Sequence, residues 1–90
     1  WACIQPLLAG NTVVWKISKE VILTGRLIAD IFSQSLIPSG VWTEVYGDGK
    51  TGDILTDQDI DGITFTGSTA VGQNLARKAQ EKGIVSIMEL

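Results

Sequence analysis

The residues whose types and order are best suited to binding a ligand form a glycine turn at Phe65–Gly72. A run of β-branched and aromatic residues ends at Gly67, and the small hydroxylated residues Ser68 and Thr69 follow. This order predicts a strand that enters a helix through a tight turn. The unpaired N–H groups of a first helical turn, together with the helix dipole, favour a phosphate group. Ligands of open α/β sheets bind at the carboxyl ends of the strands, so the turn is a candidate anion site.

The spacing of this turn is not specific by itself. Four residues separate Gly67 from Gly72, but Gln73 and Asn74 follow, where a Walker A loop has Lys and Ser or Thr. The G-x-G-x-x-G fingerprint of many dinucleotide sites is also missing. A purely structural interpretation, in which Ser68 caps an ordinary helix, explains the same residues and stays open at this point.

Composition excludes several classes of protein. The 90 residues are 44% hydrophobic and 19% charged, which is typical of a globular sequence. Seven Lys and Arg against ten Asp and Glu give a net charge of −3, so neither nucleic acid nor a membrane surface is an expected partner. Without histidine and with one cysteine, the chain alone cannot build a His-containing metal site or an internal disulfide. We expect a cytoplasmic protein.

Hydrophobic periodicity predicts the elements that position the turn. Strands are predicted over 12–16, 41–46, 63–66 and 85–88, and helices over 23–32, over 52–56 and from the glycine turn to Gly83. Alternating strands and helices predict an α/β fold, a parallel sheet with helices on both faces. The predicted apolar face of the first helix consists of Leu23, Leu27, Ile28, Ile31 and Phe32.

Four segments, in order, resemble the aldehyde dehydrogenase superfamily, and the likeness covers essentially the whole chain. These segments are 6–16, 38–41, 65–69 with the sequence FTGST, and 87–90. The likeness implies that residues 1–90 are part of the Rossmann-like dinucleotide-binding domain of a larger enzyme. This family binds NAD or NADP without the usual glycine fingerprint. The start at Trp1, without Met, and an apolar run that reaches Met88 also predict a piece of a larger protein.

The likeness assigns cofactor contacts to individual positions. Lys16 is expected to reach the adenine-side ribose hydroxyls, and Gly47 and Val71 to flank the adenine. Ser68 is expected to hold the diphosphate, at the helix N-terminus. The full set of expected cofactor-binding residues is Lys16, Ser18, Lys19, Gly47, Phe65, Thr66, Gly67, Ser68 and Val71.

Glu89 is the catalytic residue that the likeness implies. In the family's mechanism a cysteine thiolate attacks the aldehyde, a hydride passes to the nicotinamide, and a glutamate activates the water that hydrolyses the thioester. Glu89 stands where that general base is expected. A glutamate at a strand end that merely faces solvent is the alternative.

Three features of the family are expected outside the 90 residues. The family's nucleophilic cysteine is expected beyond Leu90, and an asparagine of its oxyanion hole before Trp1. The hairpin that joins subunits is also missing, although the parent protein is expected to be a homodimer or homotetramer. Cys3 is not at the nucleophile's position and is expected to be a buried, small apolar residue. We therefore expect the chain alone to be inactive.

The segment after Lys16 departs from the family pattern. The family often has P-x-E after this lysine, and its glutamate pairs with ribose hydroxyls, but this chain has Ile17, Ser18 and Lys19. A lysine at this position attracts a 2′-phosphate, which predicts that NADP is accepted. In the alternative, Lys19 faces solvent and Glu20 binds the ribose.

Two rival functions stay open on the sequence. The chain could belong to a nucleotide-binding module that has lost its chemistry, which a missing downstream cysteine would indicate. It could also belong to a CoA-acylating relative that passes the acyl group from the enzyme to CoA. Such relatives typically lack the glutamate, so Glu89 argues against this possibility.

Overall fold

The computed structural model describes all 90 residues as short helices that alternate with parallel strands. In chain order the elements are α1 (Ile4–Leu8), β1 (Val13–Lys16), a 3₁₀-helix (Lys19–Val21), α2 (Ile22–Ser33), β2 (Trp42–Val45), α3 (Gly49–Thr56), β3 (Gly62–Thr66), α4 (Thr69–Lys82) and β4 (Val85–Glu89). Strand β1 pairs with β2, and β3 pairs with β4, as two parallel two-stranded sheets. The predicted α/β class and the parallel strands are confirmed.

The chain divides into two compact units, and the first is Trp1–Gly52. Its most buried side chain is Ile17, which is 1% exposed and follows directly after β1. A Cβ on Gly25 would lie 2.7 Å from Ile17 Cδ1, so helix α2 approaches this side chain as closely as a glycine permits. The ring of Phe32 stacks on Trp42 of β2, with 4.0 Å between ring centroids.

The predicted buried face of α2 is wrong in part. Leu23, Leu27 and Ile31 are exposed, whereas Gly25 and Ala29 are buried. The small residues allow the helix backbone to lie close to its neighbours, and the larger residues then point away. Helix α2 is apolar on more than one side, so periodicity alone does not select the side that packs.

The second unit is Asp53–Leu90, in which α4 packs on the sheet of β3 and β4. Ile63, Leu75 and Ala79 are its buried apolar residues. Helix α4 ends as predicted at Gly83, whose φ of 68° is the left-handed conformation that favours glycine at this position. Of the apolar residues of this helix, Leu75 and Ala79 are buried, but Val71 remains 47% exposed.

Two helical segments differ from the prediction. Helix α3 begins at Gly49, three residues before the predicted start, because the Asp48 carboxylate caps it and accepts a hydrogen bond from Lys50 N at 3.0 Å. Helix α1 was not predicted, since its five residues carry no capping side chain and are too few for a period to be recognised. None of the helices has the length and apolarity that a membrane crossing requires.

Candidate functional site

The N-terminus of α4 is rich in hydrogen-bond donors and carries no negative charge. Ser68 is its N-cap, and the Ser68 Oγ accepts a hydrogen bond from Val71 N at 3.5 Å. The first bond of the helix runs from Gly72 N to the Ser68 carbonyl. The N–H groups of Thr69 and Ala70 therefore have no partner, and no acidic residue occupies the first turn. The turn can accommodate an anion such as a diphosphate.

The glycine turn that precedes α3 differs in charge. At the N-terminus of α3, the Asp48 carboxylate accepts hydrogen bonds from the N–H groups of Lys50 and Thr51. A carboxylate already interacts with the positive end of this helix and would repel a second anion. Gly47 packs tightly there, since a Cβ on it would lie 2.6 Å from the Cβ of Thr51. Of the two turns, the α4 turn is the one that leaves its amides open to an anion.

Gly67 is hydrogen-bonded to β4 through its N–H group and covered by the ring of Phe65. Its N–H donates to the Glu89 carbonyl at 3.1 Å, which extends the ladder between β3 and β4 by one bond. A Cβ on Gly67 would lie 2.6 Å from the tip of the Phe65 ring, so the ring covers this glycine. The Gly67 amide is thus already paired. The amides open to an anion are those that follow it, in the first turn of α4.

Glu89 lies at the end of β4, next to this turn. The pairing register puts it opposite Thr66, the last residue of β3. The Thr66 Oγ1 donates a hydrogen bond to the Glu89 Oε2 at 3.2 Å, and both residues are exposed. Sequence reasoning assigned Thr66 to the cofactor and missed this bond. The signal that could have revealed it is the alignment of two predicted parallel strands whose last polar residues meet at one sheet edge.

In the unit Trp1–Gly52, the segment after β1 consists of one buried apolar residue followed by exposed polar residues. The Ser18 Oγ accepts a hydrogen bond from Glu20 N at 3.3 Å and caps the 3₁₀-helix. Lys19 and Glu20 are exposed, whereas the preceding Ile17 is buried. The stem of Lys16 runs along α3, because its Cδ and Cε would lie 3.6 Å from a Cβ on Gly52.

Cys3 is a poor nucleophile in this structure. It is half-buried, where a fully buried position was expected, and it forms no disulfide. Burial raises the pKa of the Cys3 thiol. Since the thiolate is the reactive form, the shift disfavours nucleophilic chemistry at this residue.

Comparison with known proteins assigns the chain to a family. The model of the aldehyde dehydrogenase family matches residues 1–90, and the chain belongs to this family. An N-succinylglutamate 5-semialdehyde dehydrogenase of Caulobacter sp. (strain K31) is 40% identical over 88 residues, which are 97% of this chain and 18% of that protein. A betaine aldehyde dehydrogenase of Vibrio vulnificus is 36% identical over 76 residues, or 83% of this chain and 16% of that protein.

Solved structures agree in fold. Mycobacterium tuberculosis aldehyde dehydrogenase, in complex with NAD⁺, matches with a TM-score of 0.91 and 43% identity over 99% of this chain and 19% of that one. An aldehyde dehydrogenase of Bartonella henselae matches with a TM-score of 0.90 and 37% identity, over 98% of this chain and 19% of that one. The chain thus spans less than a fifth of the length of these relatives.

Proposed function

We propose that this chain is part of the dinucleotide-binding domain of an enzyme that oxidises an aldehyde to a carboxylic acid with NAD or NADP. The observation that carries the proposal is the 3.1 Å bond from Gly67 N to the Glu89 carbonyl. It ties the candidate general base to the turn that opens α4, whose amides suit a diphosphate. Family membership over residues 1–90 supports the same activity. The nucleophile domain and the subunit-joining hairpin belong to other parts of this enzyme, a homodimer or homotetramer.

The residues of each unit fit a part of the cofactor. In Asp53–Leu90, the N–H groups of Thr69 and Ala70 and the Ser68 hydroxyl bind the diphosphate, because the turn offers donors and no carboxylate. The exposed Val71 side chain contacts the adenine. In the first unit, the Lys16 ammonium binds ribose hydroxyls and Gly47 lies against the adenine. The bound dinucleotide supplies the hydride acceptor.

Glu89 acts after the oxidation, when the acyl group is a thioester on the enzyme's cysteine. The carboxylate takes a proton from water as the water oxygen bonds to the acyl carbon. The carbon–sulfur bond then breaks, which releases the carboxylic acid and the cysteine thiolate. No residue of this chain covers the Glu89 carboxylate, which is exposed at the end of β4. General-base catalysis of this kind is worth about 10²–10⁴ in rate.

The test is Glu89→Gln in the full-length protein that contains this chain. We expect a first turnover that forms NADH at a normal rate, and a steady-state rate lower by about 10²-fold or more. Intact-mass measurement should show the acyl group on the enzyme. Glu81→Gln is the matched control, since Glu81 is an exposed glutamate paired only with Arg77 on the surface of α4.

An undiminished steady-state rate in Glu89→Gln would show that this residue is not the base. A CoA thioester as the main product would instead favour the CoA-acylating class. Absence of cofactor binding by the unmodified full-length protein would favour the module without chemistry. The three results differ in the quantity measured, so each alternative is recognised separately.

Acceptance of NADP is the finer part of the proposal. Lys19 is exposed beside Ser18, whose Oγ caps the 3₁₀-helix through Glu20 N and keeps its own hydrogen free to donate. An ammonium and a hydroxyl at this position suit a 2′-phosphate. The electrostatic preference over a carboxylate is about 1–3 kcal/mol in a partly exposed site. Glu20 opposes this preference, because it is also exposed and can accept hydrogen bonds from ribose hydroxyls.

A further inference from the structure

We infer that Thr66 is a positioning residue, which holds the Glu89 carboxylate in the orientation that activates water. The inference rests on the proposed role of Glu89 as the general base. Its basis is the bond from Thr66 Oγ1 to Glu89 Oε2, at 3.2 Å. Thr66 was expected to touch the cofactor, and this bond gives its hydroxyl a second partner, Glu89.

The backbone at both residues is already fixed. Thr66 and Glu89 are partners in the parallel register, at the ends of β3 and β4, so their side chains leave the same face of the sheet. The Gly67 N–H donates to the Glu89 carbonyl, which adds a main-chain hydrogen bond between the two strands directly after Thr66. What remains free is the rotation of the glutamate side chain, and this rotation determines where the carboxylate points.

Within these 90 residues, the Thr66 hydroxyl is the one side-chain group that hydrogen-bonds the Glu89 carboxylate. Glu89 makes no ion pair and no second side-chain hydrogen bond, and it is exposed. Threonine is well suited to the task because its branched Cβ limits its own χ1. The donor, Thr66, is therefore stiff, although the acceptor, Glu89, is a flexible side chain.

The bond also gives the two carboxylate oxygens of Glu89 different partners. Oε2 accepts the hydrogen of Thr66, which leaves Oε1 to accept the proton of a water molecule. Without the hydroxyl, Glu89 samples more rotamers, and fewer of them align Oε1 with the water. Since alignment of reacting groups lowers the barrier, loss of the bond slows hydrolysis of the thioester but not the preceding hydride transfer.

The experiment compares Thr66→Val and Thr66→Ser in the full-length protein. Valine keeps the branched shape without the hydroxyl, and serine keeps the hydroxyl without the branch. We expect Thr66→Val to lower the rate of thioester hydrolysis roughly three- to tenfold, as fits the loss of one hydrogen bond of ordinary net strength. Thr66→Ser should retain at least half of the rate. Thr64→Val is the control, since Thr64 is exposed on the same strand and makes no side-chain bond.

Two readouts separate positioning from a merely structural role. The rate of the first NADH burst and the KM for the cofactor should stay within about twofold in Thr66→Val, while the acylated fraction seen by intact mass at steady state rises. In a Glu89→Gln background, Thr66→Val should have no further effect on hydrolysis.

Three results would overturn the inference. The first is unchanged hydrolysis in Thr66→Val, and the second is a loss of the same size in Thr66→Ser. The third is a loss that persists in the Glu89→Gln background, which would mean that Thr66 acts on something other than Glu89. Failure of the proposed function is recognised independently, because Glu89→Gln alone would then turn over normally.

Discussion

Leu90 packs directly against the backbone of α4 at Gly72. A Cβ on Gly72 would lie 3.1 Å from Leu90 Cγ, which is closer than ordinary van der Waals contact, and closer still to a terminal methyl group. Gly72 is buried in the first turn of α4, and Leu90 directly follows Glu89. The glycine therefore sets how near the candidate base can lie to the candidate diphosphate turn.

Gly72→Ala should displace Leu90 and, with it, Glu89. Overpacking costs about 1–3 kcal/mol, whereas alanine in place of glycine stabilises a helix by about 1 kcal/mol. We therefore expect the free energy of unfolding to fall by no more than about 2 kcal/mol in a urea titration. The rate of thioester hydrolysis should fall several-fold, because the base moves.

A second substitution shows whether Leu90 is the cause. In Gly72→Ala with Leu90→Ala, the space for the new methyl group returns, and we expect hydrolysis to recover toward the original rate. Gly49→Ala is the control, since it opens α3 where a Cβ meets nothing within 4 Å. A double variant that is no better than Gly72→Ala alone would contradict the explanation.

Cofactor preference should respond to the charge at position 19. In the full-length protein, Lys19→Glu should lower the preference for NADP over NAD by about 1–3 kcal/mol, that is, roughly 5- to 150-fold in the ratio of kcat/KM values. Attraction to the 2′-phosphate is then replaced by repulsion. The measurement is kcat/KM for each cofactor in both proteins, at constant ionic strength.

Arg26→Glu provides the matched control for this prediction. It makes the same change of charge at an exposed position of α2, in the same unit. If Lys19→Glu and Arg26→Glu alter the ratio equally, the effect is one of net charge and not of a local contact. An unchanged ratio in Lys19→Glu would favour the interpretation in which Glu20 binds the ribose.

The ammonium of Lys78 links α4 to the end of α3, and the stabilisation that this link provides depends on pH. Its ammonium lies 3.0 Å from Asp57 Oδ1 and 3.3 Å from Asp53 Oδ1, and it also donates to Thr56 Oγ1 at 3.4 Å. The hydrogen bond to Asp57 raises the pKa of Lys78 above its ordinary value, although partial burial opposes the shift. Because the folded state binds this proton more tightly, the stabilisation is complete below the ordinary lysine pKa of about 10.4. It is lost as pH rises through the folded value.

Lys78→Met tests this pH dependence. We expect the variant to melt at a lower temperature than the original protein at about pH 8, and the difference to shrink above about pH 10.5. Melting curves of both proteins across this range are the measurement. Lys50→Met is the control, because the exposed Lys50 side chain has no acidic partner. A difference that stays constant with pH would show that packing of the lysine stem, and not its charge, is responsible.

The sequence was most informative where a signal is local. Residue type alone predicted that Gly83 ends α4, and a cap at Ser68 was one of the two interpretations left open. The structure has both residues as helix caps. Capping is decided by residues within one turn, so neighbours in sequence suffice to predict it. The same holds for the order of strands and helices, which follows from periodicity.

Contacts between distant residues were not predictable in the same way. The face of α2 was misassigned, because Gly25 meets Ile17 only after the chain has turned back. The bond of Thr66 to Glu89 joins residues 23 positions apart and depends on the register of two strands. A shift of one residue would put the two side chains on opposite faces.

The amino-acid sequence by itself determined the α/β class, the family and the helix N-terminus that can receive an anion, since each follows from short segments. The tertiary structure decided which groups of that turn stay available. It paired the Gly67 amide with Glu89, left the amides of Thr69 and Ala70 open, and gave the Glu89 carboxylate a hydroxyl partner. The reason is physical: a buried or paired donor is defined by its neighbours in space, and two parallel strands must align before those neighbours exist.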